Sequence, residues 1–240
     1  MALDEVITDR VADGEARPTL RFWEWDASSV VIGRFQAVRD EVFEDMADRN
    51  GVDIVRRCSG GGAMFCEPGT VITYSLSLPG DAVDTEDIVQ SYRELEGWTL
   101  DALQGIGATA DWQPVNDIVN GEQKIGGSAQ ARWSDTVLHH TMLAYDLDIE
   151  TMLQVLKIGE EKISDKAIES AAKRVSPLSD QVDLPREEVV ESMVTQFAQD
   201  HSVSDGAVSE EERAAARDLV EEKYGTDEWL YRVDREIEGF

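Results

Sequence analysis

Arg56-Arg57-Cys58-Ser59-Gly60-Gly61-Gly62-Ala63-Met64-Phe65 follows one apolar run (Val52, Ile54, Val55) and precedes another, Val71-Ile72-Thr73-Tyr74-Ser75-Leu76-Ser77-Leu78. Both flanks are short, β-branched and bounded by turn residues, so both read as strands. Three consecutive glycines between strands let a backbone approach a ligand and adopt dihedrals that a Cβ would forbid. The same run also suits an ordinary turn. Two arginines at its start offer bidentate donors for a phosphate or carboxylate, or else are simply solvated.

A second cluster runs Asn116-Asp117-Ile118-Val119-Asn120-Gly121-Glu122-Gln123-Lys124-Ile125-Gly126-Gly127-Ser128-Ala129-Gln130. Asn120-Gly121 between strand-like runs signals a hairpin. A turn there returns Lys124 toward the strand carrying Asn116 and Asp117. Val137-Leu138-His139-His140-Thr141-Met142-Leu143 is a further strand-like run. Arginines, a lysine, a carboxylate and two glycine-rich segments at strand ends can hold a phosphorylated ligand and stabilise charge developing beside it.

Together these residues resemble the lipoate–protein ligase family, within the wider biotin and lipoate ligase group. Its Arg-Arg-x-Ser-Gly-Gly-Gly-Ala signature stands at Arg56 to Ala63. Its Asn-Asp, Lys and Gly-Ser-Ala pattern stands at Asn116-Asp117, Lys124 and Gly127-Ser128-Ala129. His139-His140-Thr141 is an altered form of a His-Gly-Thr motif. Met1 to Glu5 resembles part of the family's first helix, and Gly33-Arg34-Phe35-Gln36 its Gly-Arg-x-Gln turn. Lys162, Lys166, Ser170, Arg174 and Val175 fit a helical Lys-x-x-x-Lys…Ser…Arg-Val segment, and Lys223-Tyr224 with Trp229 fits the end of the catalytic domain. Departures are Cys66 where the family has His, Thr70 where it has Asn, and His140 where it has Gly.

The resemblance implies that lipoate is activated with ATP to lipoyl-adenylate and passed to a lysine of a lipoyl domain. Acceptors would be lipoyl domains of 2-oxoacid dehydrogenase complexes or the glycine-cleavage H protein. Catalytic Lys124 would contact the activated carboxyl and the phosphate, and catalytic Asp117 would hold Mg²⁺ or an ATP-facing water. Gly60, Gly61 and Gly62 would close over the ligand, with Arg57 facing its carboxylate or phosphate. Ser128 and Ala129 would lend backbone to the nucleotide pocket. The motifs also place Arg56, Ser59, Ala63, Asn116, Gly127 and Thr141 in the lipoate and ATP site. His139 either lines the lipoate pocket or is a satisfied core histidine. The chain ends where many bacterial ligases continue into an accessory domain. It therefore reads as a catalytic subunit without that domain, working with a separate small accessory subunit as some archaeal ligases do.

Two other functions fit less well. A cysteine-dependent octanoyl- or lipoyl-transferase of the same superfamily would carry its cysteine shortly before the lysine segment, and residues 104–123 contain none. A non-catalytic lipoate-binding subunit would suit the altered positions 66, 70 and 140, but Lys124 and Asp117 argue against it. A metal site from Cys58, Cys66, His139 and His140 matches no standard zinc spacing.

The 240 residues include 50 acidic and 22 basic ones, a net charge of -28. That balance excludes a nucleic-acid partner, which needs surplus Lys and Arg, and disfavours an anionic membrane. Acidity spread along a chain with 42% hydrophobic residues suggests a halophilic archaeon as source, because screening shrinks to about 3 Å at roughly 1 M salt. No run approaches the roughly 18–20 apolar residues that span a bilayer, and no targeting segment is visible. Two cysteines are too few for a disulfide framework, so the expected location is cytoplasmic.

The expected fold is α+β: mixed and antiparallel sheets packed with helices, in one catalytic domain over residues 1–240, helical from about 183. Strands are expected at 20–25, 29–33, 53–57, 71–78, 109–113, 117–119, 124–133 and 136–145. Helices are expected at 40–49, 85–103 (capped by Asp84 or Thr85), 149–157, 164–173, 185–200 and 209–222.

Overall fold

The computed structural model describes residues 1–83, 86–157 and 174–234. Helix α1 (Ala2–Ala12) leads into β1 (Thr19–Trp23) and β2 (Ser29–Ile32). Next come α2 (Val38–Glu41), α3 (Glu44–Asn50), β3 (Asp53–Arg56), β4 (Met64–Cys66), β5 (Val71–Pro79) and α4 (Ile88–Gly105). Strands β6 (Asp111–Gln113), β7 (Asp117–Asn120), β8 (Gln123–Trp133) and β9 (Thr136–Ala144) precede α5 (Ile149–Val155). Helices α6 (Arg186–Asp200), α7 (Glu210–Leu219) and α8 (Asp227–Leu230) close the described chain.

Six strands form an antiparallel sheet in the order β1-β5-β9-β8-β7-β6. A smaller mixed sheet, β3-β2-β4, pairs β2 parallel to β3 and antiparallel to β4. This is the expected α+β architecture.

The alternation in β5 explains how the large sheet is covered on both faces. Ile72, Tyr74 and Leu76 join Leu95, Trp98 and Leu103 of α4 and Val189 and Met193 of α6 in the main core. The intervening Thr73, Ser75 and Ser77 would ordinarily face water in an antiparallel sheet. Here they are buried: α1 meets two of them with polar groups, Thr8 Oγ1 lying 2.8 Å from Ser77 Oγ and Ser75 donating to Asp4 at 2.7 Å, while Thr73 donates to Trp23 O at 2.9 Å. The second core packs Val30, Ile32 and Phe65 of the small sheet against Val42, Ala47 and Met152.

Three expectations shift. The single helix at 40–49 is two, because Val42 bridges Leu156 and the Phe43 amide donates to Val155 O. Helix α4 starts later than expected: Asp87 caps it, accepting from Val89 N and Gln90 N at 2.9 and 3.1 Å. The alternative caps, Asp84 and Thr85, lie outside the described residues, as do Lys162, Lys166, Ser170 and the helix at 164–173. The short strand β4 within the glycine signature was not anticipated. At the other end, Ser209 and Glu212 form a reciprocal capping box for α7. Then a π-helical turn, Val220–Tyr224, swings Lys223 and Tyr224 onto Glu5 of α1 at 2.6 Å each.

Candidate functional site

A cavity of about 230 Å³ opens between the large sheet and the glycine loop that joins β3 to β4. Met64, Phe65, Met142, Met152, Leu156 and Val175 give it an apolar wall.

The hairpin brings Lys124 to the mouth. Asn120 pairs with Gln123 across the turn, and Gly121 takes a φ of +60°. A register shift between Ile118 and Val119 follows, and such a bulge re-aims neighbouring side chains. Lys124 Nζ then reaches Asp117 Oδ1 at 2.6 Å, with the two side chains 52% and 35% exposed. Gly127 leaves the space this pair occupies: a Cβ there would stand 3.1 Å from Lys124 Nζ and 3.2 Å from Asp117 Oδ1. On its other side Lys124 is fixed by the 174–176 segment, donating from N to Arg174 O and accepting at O from Ser176 N.

Arg57 shapes the glycine loop. Its guanidinium donates to the carbonyls of Gly60 (2.6 Å), Gly62 (2.8 Å) and Val31 (3.1 Å), and to Ser59 Oγ (3.1 Å). In a trans peptide the N–H points opposite to its C=O. The amides of Gly61 and Ala63, which share planes with the captured carbonyls, therefore aim away from the guanidinium. Gly61 sits at φ +91°, a conformation that favours glycine. Burial lowers the Arg57 pKa to about 10, so it stays charged at neutral pH.

Arg57, Gly61, Gly62 and Ala63 line the cavity from the loop side. Asn116, Lys124, Gly127, Ser128, Ala129 and Thr141 line it from the large sheet. Four of the expected site residues, Arg56, Ser59, Gly60 and His139, do not line it. Arg56 is fully buried and does not reach this cavity. Its donors go to the carbonyls of Gly33, Arg34, Gln36, Trp229 and Leu230, so it ties the loop's root to the chain's last described helix. His139 is the core histidine rather than a pocket residue, with Nε2 at 2.8 Å from Glu96 Oε1. Ser59 and Gly60 stand behind the cavity wall, one hydrogen-bonded to His140 and the other to Arg57.

The sequence reading missed Glu96 and underrated His140. Glu96 is fully buried; Thr141 Oγ1 donates to it at 2.7 Å and Tyr74 Oη at 3.1 Å. Burial works to raise its pKa, but hydrogen bonds from His139 and Thr141 prevail and lower it. The signal was an acid on the core-facing stripe of α4, between Tyr92 and Thr99. His140 lines the cavity, with Nε2 2.5 Å from Ser59 Oγ. Among the described residues no group of three His, Cys, Asp or Glu side chains is placed to hold a metal. Cys58 and Cys66 are both buried, away from the cavity lining, with thiol pKa values raised by burial. No helix among the described residues is long and apolar enough to cross a membrane.

Comparison with known proteins gives a consistent picture. The chain is 31% identical over 241 residues to lipoate-protein ligase A subunit 1 of Thermoplasma acidophilum, covering 95% of this chain and 90% of that protein. It is 29% identical over 262 residues to the octanoyltransferase LipM of Lysinibacillus sphaericus, covering 97% and 94%. Two solved structures superpose with a TM-score of 0.83 at 28% identity, over 97% of this chain and 92% of theirs. One is an archaeal bi-partite lipoate protein ligase from Thermoplasma acidophilum, studied with its E2 lipoyl domain; the other is a lipoate-protein ligase A bound with ATP. The family model for the lipoyl protein ligase A/B catalytic domain matches residues 1–198, and this chain belongs to that family.

Proposed function

We propose that this protein is an ATP-dependent lipoate–protein ligase. The observation that carries the reading is the Lys124 ammonium at the mouth of an apolar cavity beneath the glycine loop. An acid whose tail enters the cavity presents its carboxylate to that ammonium. The carboxylate oxygen attacks the α-phosphorus of ATP, pyrophosphate leaves, and the acid becomes an acyl-adenylate. A lysine amine of the acceptor then attacks the acyl carbon, forming an amide and releasing AMP. Neither step needs a covalent enzyme intermediate, so positioning and electrostatics supply the catalysis.

Lys124 exchanges Asp117 for the ligand's negative charge, and Asp117 is then left beside the triphosphate. Mg²⁺, arriving with ATP, would be held by phosphate oxygens and that one carboxylate, and would neutralise phosphate charge. The loop amides of Gly61 and Ala63, oriented by Arg57, are donors suited to the same anion. The ATP-bound relative supports this use of the site.

The octanoyltransferase relatives favour a second reading, transfer through a thioester. That route needs a thiolate at the acyl group. The chain's only cysteines, Cys58 and Cys66, are buried away from the cavity lining. By likeness to the bi-partite relative, the acceptor is a lipoyl domain and a separate accessory chain assists. The test is pyrophosphate release from ATP with lipoate or octanoate present. Acid-dependent release supports the ligase; no release, with transfer from an acyl-carrier thioester, supports the transferase.

A further inference from the structure

The geometry points to His140 as the residue that closes the inner end of the acyl cavity and limits the length of acid it admits. This rests on the proposal above that the cavity takes the acyl chain.

Strand alternation sends the two adjacent histidines to opposite faces: His139 toward Glu96, His140 toward the glycine loop. Across the sheet His140 stands between Ser75 of β5 and Ala129 of β8, in its central strands. It is 7% exposed, whereas Lys124 at the mouth has a side chain 52% exposed. Met142, on the same face of β9 and opposite Gly127, stands between them. A tail entering past Lys124 therefore passes Met142 before it meets the imidazole.

The ring is clamped. Ser59 Oγ accepts from Arg57 Nε at 3.1 Å, which leaves the hydroxyl proton for His140 Nε2. By that network the ring proton is assigned to Nδ1, which faces Asp4 Oδ2 at 3.9 Å. Asp4 is itself held by Arg21 and Ser75, both at 2.7 Å. Swinging the ring aside would break the contact to Ser59 and remove the imidazole that faces Asp4 Oδ2 beside the Met1 ammonium at 3.8 Å. Burial, helped by Arg57, disfavours the imidazolium against the pull of Asp4. The imidazole at the cavity end is thus flat and neutral at pH 7.

Filling or vacating space for one methylene in an apolar pocket changes discrimination by about 10- to 200-fold. The experiment is calorimetric titration of the full chain, in molar potassium chloride, with hexanoate, octanoate, decanoate, dodecanoate and lipoate. Wild type, His140→Gly, His140→Ala and His140→Gln are compared. We expect His140→Gly to improve decanoate and dodecanoate relative to octanoate by at least about tenfold, with His140→Ala intermediate. His140→Gln, which keeps bulk and hydrogen bonding, keeps the wild-type order. If glycine is not tolerated within β9, the alanine variant carries the comparison. Unchanged chain-length order in a folded glycine or alanine variant overturns the assignment of His140 alone. Failure of wild type to bind any of the acids overturns the acyl reading of the cavity, and this inference with it.

Discussion

Replacing Arg56 by lysine separates a structural arginine from a ligand-binding one. Five carbonyl oxygens converge on the Arg56 guanidinium, those of Gly33, Arg34, Gln36, Trp229 and Leu230. A lysine ammonium has three protons and no planar fork. At least two carbonyls therefore lose their partner, at about 1–3 kcal/mol for each buried group left unpaired. The variant should lose about 2–6 kcal/mol, against a total of about 5–15 kcal/mol for an ordinary domain. Guanidinium denaturation in molar salt measures this as a lower midpoint with an unchanged slope. Acid and ATP affinities of the remaining folded protein, measured by calorimetry, should stay within about twofold, since 1.4 kcal/mol would be tenfold. A stability change below about 0.5 kcal/mol, the range of an ordinary surface substitution, would refute the structural role. Loss of ligand affinity in a fully folded variant would restore Arg56 to the binding site.

Further predictions follow the same geometry. Lys124→Ala should fold normally, because the side chain is half exposed, while adenylate formation falls by at least about 10²–10³; near wild-type pyrophosphate release from the folded variant would contradict its role. Cys66→Ser should retain ligation but lose about 1–3 kcal/mol, since it sets a hydroxyl in a fully buried position; a folded but inactive variant would support the thioester route. Burial holds His140 below the usual histidine range, against the opposing effect of Asp4. Unfolded, it titrates near about 6.5. Below that pH the unfolded chain takes up a proton that the native state resists, so stability falls as pH drops from about 6.5. Denaturation from pH 7 to 5 should show a shallower decline for His140→Gln than for wild type, and equal slopes would contradict the assignment.

Much of the fold could be read from local signals. The Asn120-Gly121 turn predicted the β7–β8 hairpin and the return of Lys124 to Asp117, because that turn's geometry is fixed by two residues. The glycine loop before Met64 lies between strands, as its flanking apolar runs predict, and β9 stands where its strand-like run places it. What stayed hidden depends on contacts distant in sequence. Arg56 and Arg57 are indistinguishable as letters. One meets carbonyls some 173 residues away and the other meets its own loop. Likewise Ser75 and Ser77 look solvent-facing until α1 is known to cover them. The split of the 40–49 helix depends on Leu156 pairing with Val42, and no window around Val42 contains that partner. His139 and His140 could be sent to opposite faces by alternation, but which face held the cavity required the fold.

The most direct test of the central claim is the intact mass of a lipoyl domain after incubation with this protein, lipoate, ATP and Mg²⁺ in molar potassium chloride. Octanoate is run in parallel, and ATP is omitted as the control. We predict a mass gain of one acyl group on the acceptor lysine that requires ATP and is lost with Lys124→Ala. Acyl transfer that proceeds equally without ATP once an acyl-carrier thioester is supplied in a further arm would contradict it.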